Sequence, residues 1–264
     1  MTDLIAAYAE HLEYVGRAES TREIYVEELR RMDRQLPAGL PLAHHDELKD
    51  WIYTDGHAPA TRKRLRAIAI SFFDWATNPA EPRLDFNPAR LLPPVKLPVR
   101  RPKAIPAEQV ADILARAPRP ARDWFIIAAC TGARCVEIAE LDRDDITKEA
   151  TLLHGKGAKD RWVPTSPLLW ALARELPPGL VAGGLTRRQI SHRGNYVLQR
   201  VLDQAGVHMH RLRHAFGTEA HEQCKDMRAV QELLGHASPT TTAGYIAASP
   251  QVMRQAVAGL PWAA

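Results

Sequence analysis

Nothing in the sequence approaches the run of about 18 apolar residues that a membrane-spanning helix needs. Cysteine is scarce: Cys130, Cys135 and Cys224 are an odd, scattered set, which argues against a disulfide framework and fits a reducing compartment. No Cys-x-x-Cys pair and no His-Glu-x-x-His motif is present, so His208, His210 and His214 lack the companions of a zinc site, and no metal is expected. The N-terminus, MTDLIAAYAEHLEYVG, is acidic and amphipathic and lacks the basic-then-apolar order of a secretory signal. The expectation is a cytoplasmic protein with no membrane contact. There is no internal repeat and no low-complexity tract.

What is present is the composition of a globular chain: 264 residues, 45% hydrophobic and 25% charged, with a net charge of +4. That length allows one or two domains. The charge is compatible with an anionic partner, and its distribution decides more than its total.

Residues 1–92 read as a helical unit. Leu4, Ile5, Tyr8, Leu12 and Val15 recur at helical spacing. Ser20 with Glu23 has the form of a capping box before a second helix carrying Ile24, Leu29, Met32 and Leu36. A third helix is expected over about 46–53 and a fourth over about 59–77. The fourth starts with Arg62, Lys63, Arg64 and Arg66, which read equally as a solvated helix end or as groups that track a phosphate backbone. A linker is expected over 93–103, where prolines alternate with Arg100, Arg101 and Lys103. A basic, extended linker reads as a plain spacer or as a segment lying in a nucleic-acid groove.

Residues 104–264 form the second unit. WFIIAAC (124–130) is apolar throughout and belongs in a core; it breaks at Thr131-Gly132, and a new helix starts near Arg134. TLLHG and RWVPT flank the turn GKGAKD (155–160), a β-hairpin with a basic tip holding Lys156 and Lys159 and followed by Arg161. Helices are expected over about 189–205, 208–222 and 227–234. Ser249-Pro250 opens a last helix whose apolar side (Val252, Met253, Ala256, Val257, Leu260) would pack on its own domain or on a second copy.

Each polar group has an ordinary reading when taken alone. Arg134 and Glu137 make an i,i+3 ion pair. His210, Arg213 and His214 share one face of a basic helix. Lys156 is a solvated hairpin lysine. Tyr245, nine residues after His236 and beyond a Ser238-Pro239 break, packs its ring. Taken together, and in this order, they form a set that suits phosphoryl transfer. A tyrosine hydroxyl is a weak nucleophile at neutral pH, the attacked phosphate gains charge that guanidinium groups stabilise, and the leaving alkoxide needs a proton donor.

On TGARCVEIAEL (131–141), HGKGAKDRWVP (154–164), HRLRHAFGTEA (210–220) and LLGHASPTTTAGY (233–245), the chain resembles the tyrosine recombinases, the integrase-like site-specific recombinases of phages and bacteria. The likeness covers the second unit and extends more weakly to the first. It implies a mainly α architecture: a four-helix, SAM-like core-binding domain, then a mixed α/β, mostly helical DNA breaking-rejoining domain with a small antiparallel sheet. It implies that Tyr245 attacks the scissile phosphate, Arg134 and Arg213 hold the non-bridging oxygens, and Lys156 protonates the leaving 5′ oxygen. His210 would assist proton transfer at the nucleophile, His236 would bind the phosphate, and Glu137 would orient the first arginine and the histidine, with His214 in support. Arg62, Lys63, Arg64, Arg66, Arg100, Arg101, Lys103, Lys159 and Arg161 are the expected DNA contacts. No cofactor is implied. The expected partners are double-stranded recombination sites and three further copies on DNA, with a monomer or weak oligomer otherwise and room for a directionality factor. The chain starts directly with the core-binding helices, so the simple type without an arm-binding domain is expected, in a bacterial or phage-infected cell. After Tyr245 it reads Ile-Ala-Ala-Ser, where many relatives have Thr-His.

Overall fold

The computed structural model describes residues 3–54, 56–98, 104–155, 160–235 and 250–262. It divides into two compact units, Met1–Arg100 and Arg101–Ala264.

The first unit holds α1 (Leu4–Tyr14), α2 (Glu19–Gln35), α3 (His45–Tyr53) and α4 (Pro59–Ala76). Asp3 caps α1, its carboxylate accepting from the Ile5 and Ala6 N–H groups. The Ser20–Glu23 capping box does not form: α2 starts two residues earlier, with Ala18 as N-cap, and Ser20 lies inside the helix. α4 opens on Pro59, whose missing N–H has no partner to lose at that position. Leu29, Met32, Leu48, Ile52, Leu65, Ile68, Phe72 and Phe73 are fully buried between these helices, each contributing roughly 1.5–3 kcal/mol of burial. Tyr8 joins them and donates its hydroxyl hydrogen to Ser71 Oγ at 2.7 Å.

In the second unit α6 (Ala121–Thr131) is the central element. Nearly all its residues are buried, as expected of a helix apolar on every side. Packed on or near it are α5 (Ala107–Arg116), α7 (Cys135–Glu140), α8 (Pro167–Glu175), α9 (Arg187–Leu202) and α10 (His210–Cys224). α8 has no counterpart among the sequence expectations, although Ser166 caps it and Pro167 opens it. α9 starts two residues earlier than expected because Thr186 and Gln189 form a reciprocal cap. The strands β1 (Ala150–Leu153) and β2 (Arg161–Pro164) pair antiparallel, with Leu153 opposite Arg161. Along β2 the burial alternates, Arg161 and Val163 inward and Trp162 outward.

α11 (Met227–Leu234) ends at Gly235, and α12 (Pro250–Ala258) follows later. Of the two placements open for the last helix, the single chain adopts its own domain. Ala256, Val257, Leu260 and Trp262 are buried in the second core, and the Trp262 indole N–H donates to Ala129 O at 3.2 Å. Among the described residues no helix is long and apolar enough to cross a membrane.

Candidate active site

The site begins where α6 stops. Gly132 ends that helix at φ +67, and a Cβ there would lie 2.7 Å from a Phe216 ring carbon and 2.8 Å from a Leu234 methyl. Both backbone conformation and space therefore require glycine. Two residues on, Arg134 occupies the N-cap position of α7. The Arg134 backbone N–H donates to Glu137 Oε2 at 2.7 Å, and Arg134 Nη1 donates to Glu137 Oε1 at 2.8 Å. The first basic group is thus tied to its carboxylate through main chain and side chain together.

Glu137 is 1% exposed and serves more than one arginine. Arg161 reaches it from β2 as a two-pronged pair, at 2.7 Å and 3.0 Å, while its Nε donates to Leu233 O at 2.8 Å. Arg213, 2% exposed on α10, brings Nη1 to 3.9 Å from Glu137 Oε2. Burial raises the Glu137 pKa, but hydrogen bonds from Arg161 and from the Arg134 N–H outweigh it, so the carboxyl ends below its ordinary value and stays ionised.

Arg213 is gripped by two helix ends. Nη1 donates to Gly132 O at 2.5 Å, and Nη2 donates to Leu234 O. These carbonyls carry the negative ends of α6 and α11, so a buried cation suits them. A guanidinium has five N–H donors, and these contacts account for two. Burial and the charges of Arg134 and Arg161 push the Arg213 pKa down to about 9, against the pull of Glu137. Three guanidinium groups share one carboxylate, and the positive excess favours an anion.

His210 opens α10, and its ring centroid lies 4.7 Å from that of His214 and 6.5 Å from that of His208. Desolvation, then His214, Arg213, His208 and Arg134, push the His210 pKa down to about 4. The imidazole is therefore neutral at pH 7. His214 is lowered as well, first by desolvation and then by His208 and Arg213. A cavity of about 290 Å³ opens beside them, lined by His210, Arg213, His214, His221, Met227 and Leu234 among others.

Arg134, Glu137, His210, Arg213 and His214 are therefore brought together. Glu137 contacts arginines; His210 is not among its hydrogen-bond or ion-pair partners in the described residues, so orientation of the histidine by this carboxylate is not seen. Arg161 differs from its expected place as a DNA contact. Its side chain is 8% exposed and bonded to Glu137 and Leu233, so it braces the site from within. In the first unit, Arg64 pairs with Glu28 at 2.6 Å and Arg66 donates twice to Leu92 O, local partners where phosphate was expected; Arg62 donates to Thr54 O, and Lys63 is exposed. Lys156, Lys159, His236, Tyr245, Arg100, Arg101 and Lys103 lie outside the described residues. The supports missed from sequence are the carbonyls of Gly132, Leu233 and Leu234. Main-chain acceptors leave no signature except the glycines that end each helix. Among the described residues no group of three or more His, Cys, Asp or Glu side chains is arranged to hold a metal.

The phage integrase family model matches residues 181–251. The tyrosine recombinase XerC of Myxococcus xanthus is 29% identical over 291 residues, covering 97% of this chain and 96% of the relative. The tyrosine recombinase XerC of Chromobacterium violaceum is 31% identical over 274 residues, covering 94% and 90%. A lambda integrase (75–356) dimer bound to a COC′ core site shares the fold, with a TM-score of 0.72 at 21% identity over 93% of this chain and 98% of that one. With a basic cluster built on these motifs, and identity of this extent to proteins of one kind, the chain belongs to the tyrosine recombinase family, the integrase-type site-specific recombinases.

Proposed function

We propose that this recombinase cuts and rejoins duplex DNA through a 3′-phosphotyrosyl intermediate formed on Tyr245. The observation that carries the reading is the Glu137 cluster, in which one buried carboxylate ties Arg134 and Arg161 and lies beside Arg213, which lines the space next to His210.

In the proposed reaction the Tyr245 oxygen attacks the scissile phosphorus as the bond to the 5′ oxygen breaks. The tyrosine proton passes to His210, which is neutral and close to the arginine pair. Lys156 gives a proton to the departing 5′ oxygen, leaving a 5′-hydroxyl. Arg134 and Arg213 stabilise the charge on the non-bridging oxygens, and His236 adds a hydrogen bond. The phosphotyrosine keeps the phosphodiester energy, so the second strand transfer runs in reverse with a new 5′-hydroxyl and without nucleotide or metal. Four copies on two sites would carry out the exchange, and a directionality factor would bias it.

Integration and excision of a phage or other mobile element is the favoured role. Chromosome-dimer resolution is the second reading, kept because the full-length relatives carry Xer names. Mapping the chromosomal sites occupied in cells separates them: paired sites at the ends of an element support the first, a single symmetrical chromosomal site the second.

The arginine assignment has its own test. Replacing one non-bridging oxygen of the scissile phosphate with a methyl group removes the charge that Arg134 and Arg213 would hold. Arg134→Ala should cleave the ordinary substrate about 10²–10³-fold more slowly and the neutral one nearly as well as the unaltered protein does. An equal loss on both substrates would remove Arg134 from the phosphate.

A further inference from the structure

α9 carries a column of polar residues that the reaction above does not use. Ser191, Asn195 and Gln199 stand one turn apart on one side of the helix, and all three are half-buried. Two of them bond to the segment that leads into α10. Gln199 Nε2 donates to Val207 O at 3.0 Å, and the Met209 N–H donates to Asn195 Oδ1 at 2.8 Å. A backbone N–H only donates, so the second bond fixes which end of the Asn195 amide faces Met209. The other end, Nδ2, donates to Ser191 Oγ at 3.4 Å.

The same helix makes room for that segment. Gly194 is buried within α9, and a Cβ there would lie 2.2 Å from Met209 Sδ and 3.0 Å from its Cγ. Met209 Sδ also lies 3.9 Å from the sulfur of Cys135, the residue that follows Arg134. Val207 and Met209 are both buried. Met209 is thus held by its main chain and fitted by its side chain, and His210 is the next residue.

α10 has no side-chain cap of its own, with Met209 at the N-cap position. Its entry is a tight turn, in which the Arg211 N–H donates to His208 O and the Leu212 N–H donates to Met209 O, each at 2.9 Å. The Met209 N–H would be buried without a partner if Asn195 did not accept it. Where α10 begins is therefore set from outside the helix. We propose that Asn195 is a positioning residue: by holding Met209 it fixes His210 beside Arg213, in the cavity that both line. The inference rests on the proton-accepting role proposed for His210.

The test is single-turnover cleavage of a nicked duplex, with protein in excess and every variant below its unfolding temperature. Asn195→Leu keeps the size of the side chain and removes the acceptor. It should bind the duplex as the parent does and cleave it about 10-fold more slowly. Asn195→Asp keeps the acceptor, and its charge suits a helix N-terminus, so it should cleave at close to the parent rate. His210→Ala should be slower than either, by about 10²-fold, and adding Asn195→Leu to it should cost nothing more, because the two residues act as one unit. In NMR of the DNA-free protein the His210 ring signals, which feel the edge-on His214 ring 4.7 Å away, should move in Asn195→Leu and return in Asn195→Asp. A further loss of about 10-fold in the double variant would mean that Asn195 serves the fold alone, and the inference is overturned while the role of His210 stands. Cleavage by Asn195→Leu at the parent rate, a defect that Asn195→Asp shares, or unmoved His210 signals would overturn it as well. If His210→Ala itself cleaves at the parent rate, the reading of His210 falls and this inference falls with it.

Discussion

Glu137 is a carboxylate almost without water, tied to Arg134 and Arg161 and lying beside Arg213. Removing its charge leaves buried guanidinium groups uncompensated. Glu137→Gln is expected to cost about 3–5 kcal/mol, the usual result of breaking a buried pair from one side, measured by urea unfolding. Arg161 shows how sequence can mislead at this scale. A basic residue beside a basic hairpin tip looks like a DNA contact, and its charge is the same whether it faces water or core. The signal that distinguishes them is strand alternation: Arg161 shares the inward face of Val163, with Trp162 outward between them. Arg134 and Glu137 were legible because their i,i+3 spacing also joins an N-cap residue to the third residue of its helix. His210 offers a second measurement. In the DNA-free protein its ring should titrate in NMR with a midpoint near 4, well below the ordinary value of about 6.5. A midpoint at the ordinary value would mean that burial and the neighbouring basic groups do not act on the ring as the structure places them.

At the scale of elements, the site is built from helix ends. Gly132 ends α6, Gly235 ends α11, and the carbonyls released there hold Arg213 and Arg161. Gly132→Ala forces a Cβ into Phe216 and Leu234 at a left-handed backbone. Left-handed strain of about 1–2 kcal/mol adds to an overpacking cost of about 1–3 kcal/mol. The variant should unfold at clearly lower urea and lose cleavage together with stability. The hairpin, the α6 break and α11 were readable from glycine punctuation and hydrophobic period. α8 was not, although Ser166 caps it and Pro167 opens it. The capping box at Ser20 failed for a different reason: the helix begins two residues earlier, at Glu19, and packing of Leu29 and Met32 sets its phase whichever residue begins it. Where α12 packs was open in the sequence, since an apolar stripe does not name the surface that covers it. In this chain Trp262 closes on α6, and Trp262→Ala should destabilise the isolated protein by about 3–5 kcal/mol, seen as a lower unfolding midpoint.

For the whole molecule, the positive excess is modest and its placement carries the function. Binding to duplex DNA should weaken steeply with salt, with a log–log slope near −0.9 for each phosphate neutralised. Substituting exposed Lys63 should reduce that slope by about one contact, whereas substituting buried Arg161 should leave the slope unchanged and act on cleavage. Equal slopes for the parent and the Lys63 variant would remove that lysine from the DNA surface. The central claim is covalent chemistry on one tyrosine, and trapping tests it most directly. With a duplex nicked beside the cleavage point, in EDTA, the protein should become attached to the 3′ end of the cut strand. Tyr245→Phe should bind the same DNA with equal affinity and form no adduct. Undiminished attachment by Tyr245→Phe, or an adduct that disappears when EDTA is added, would contradict the account.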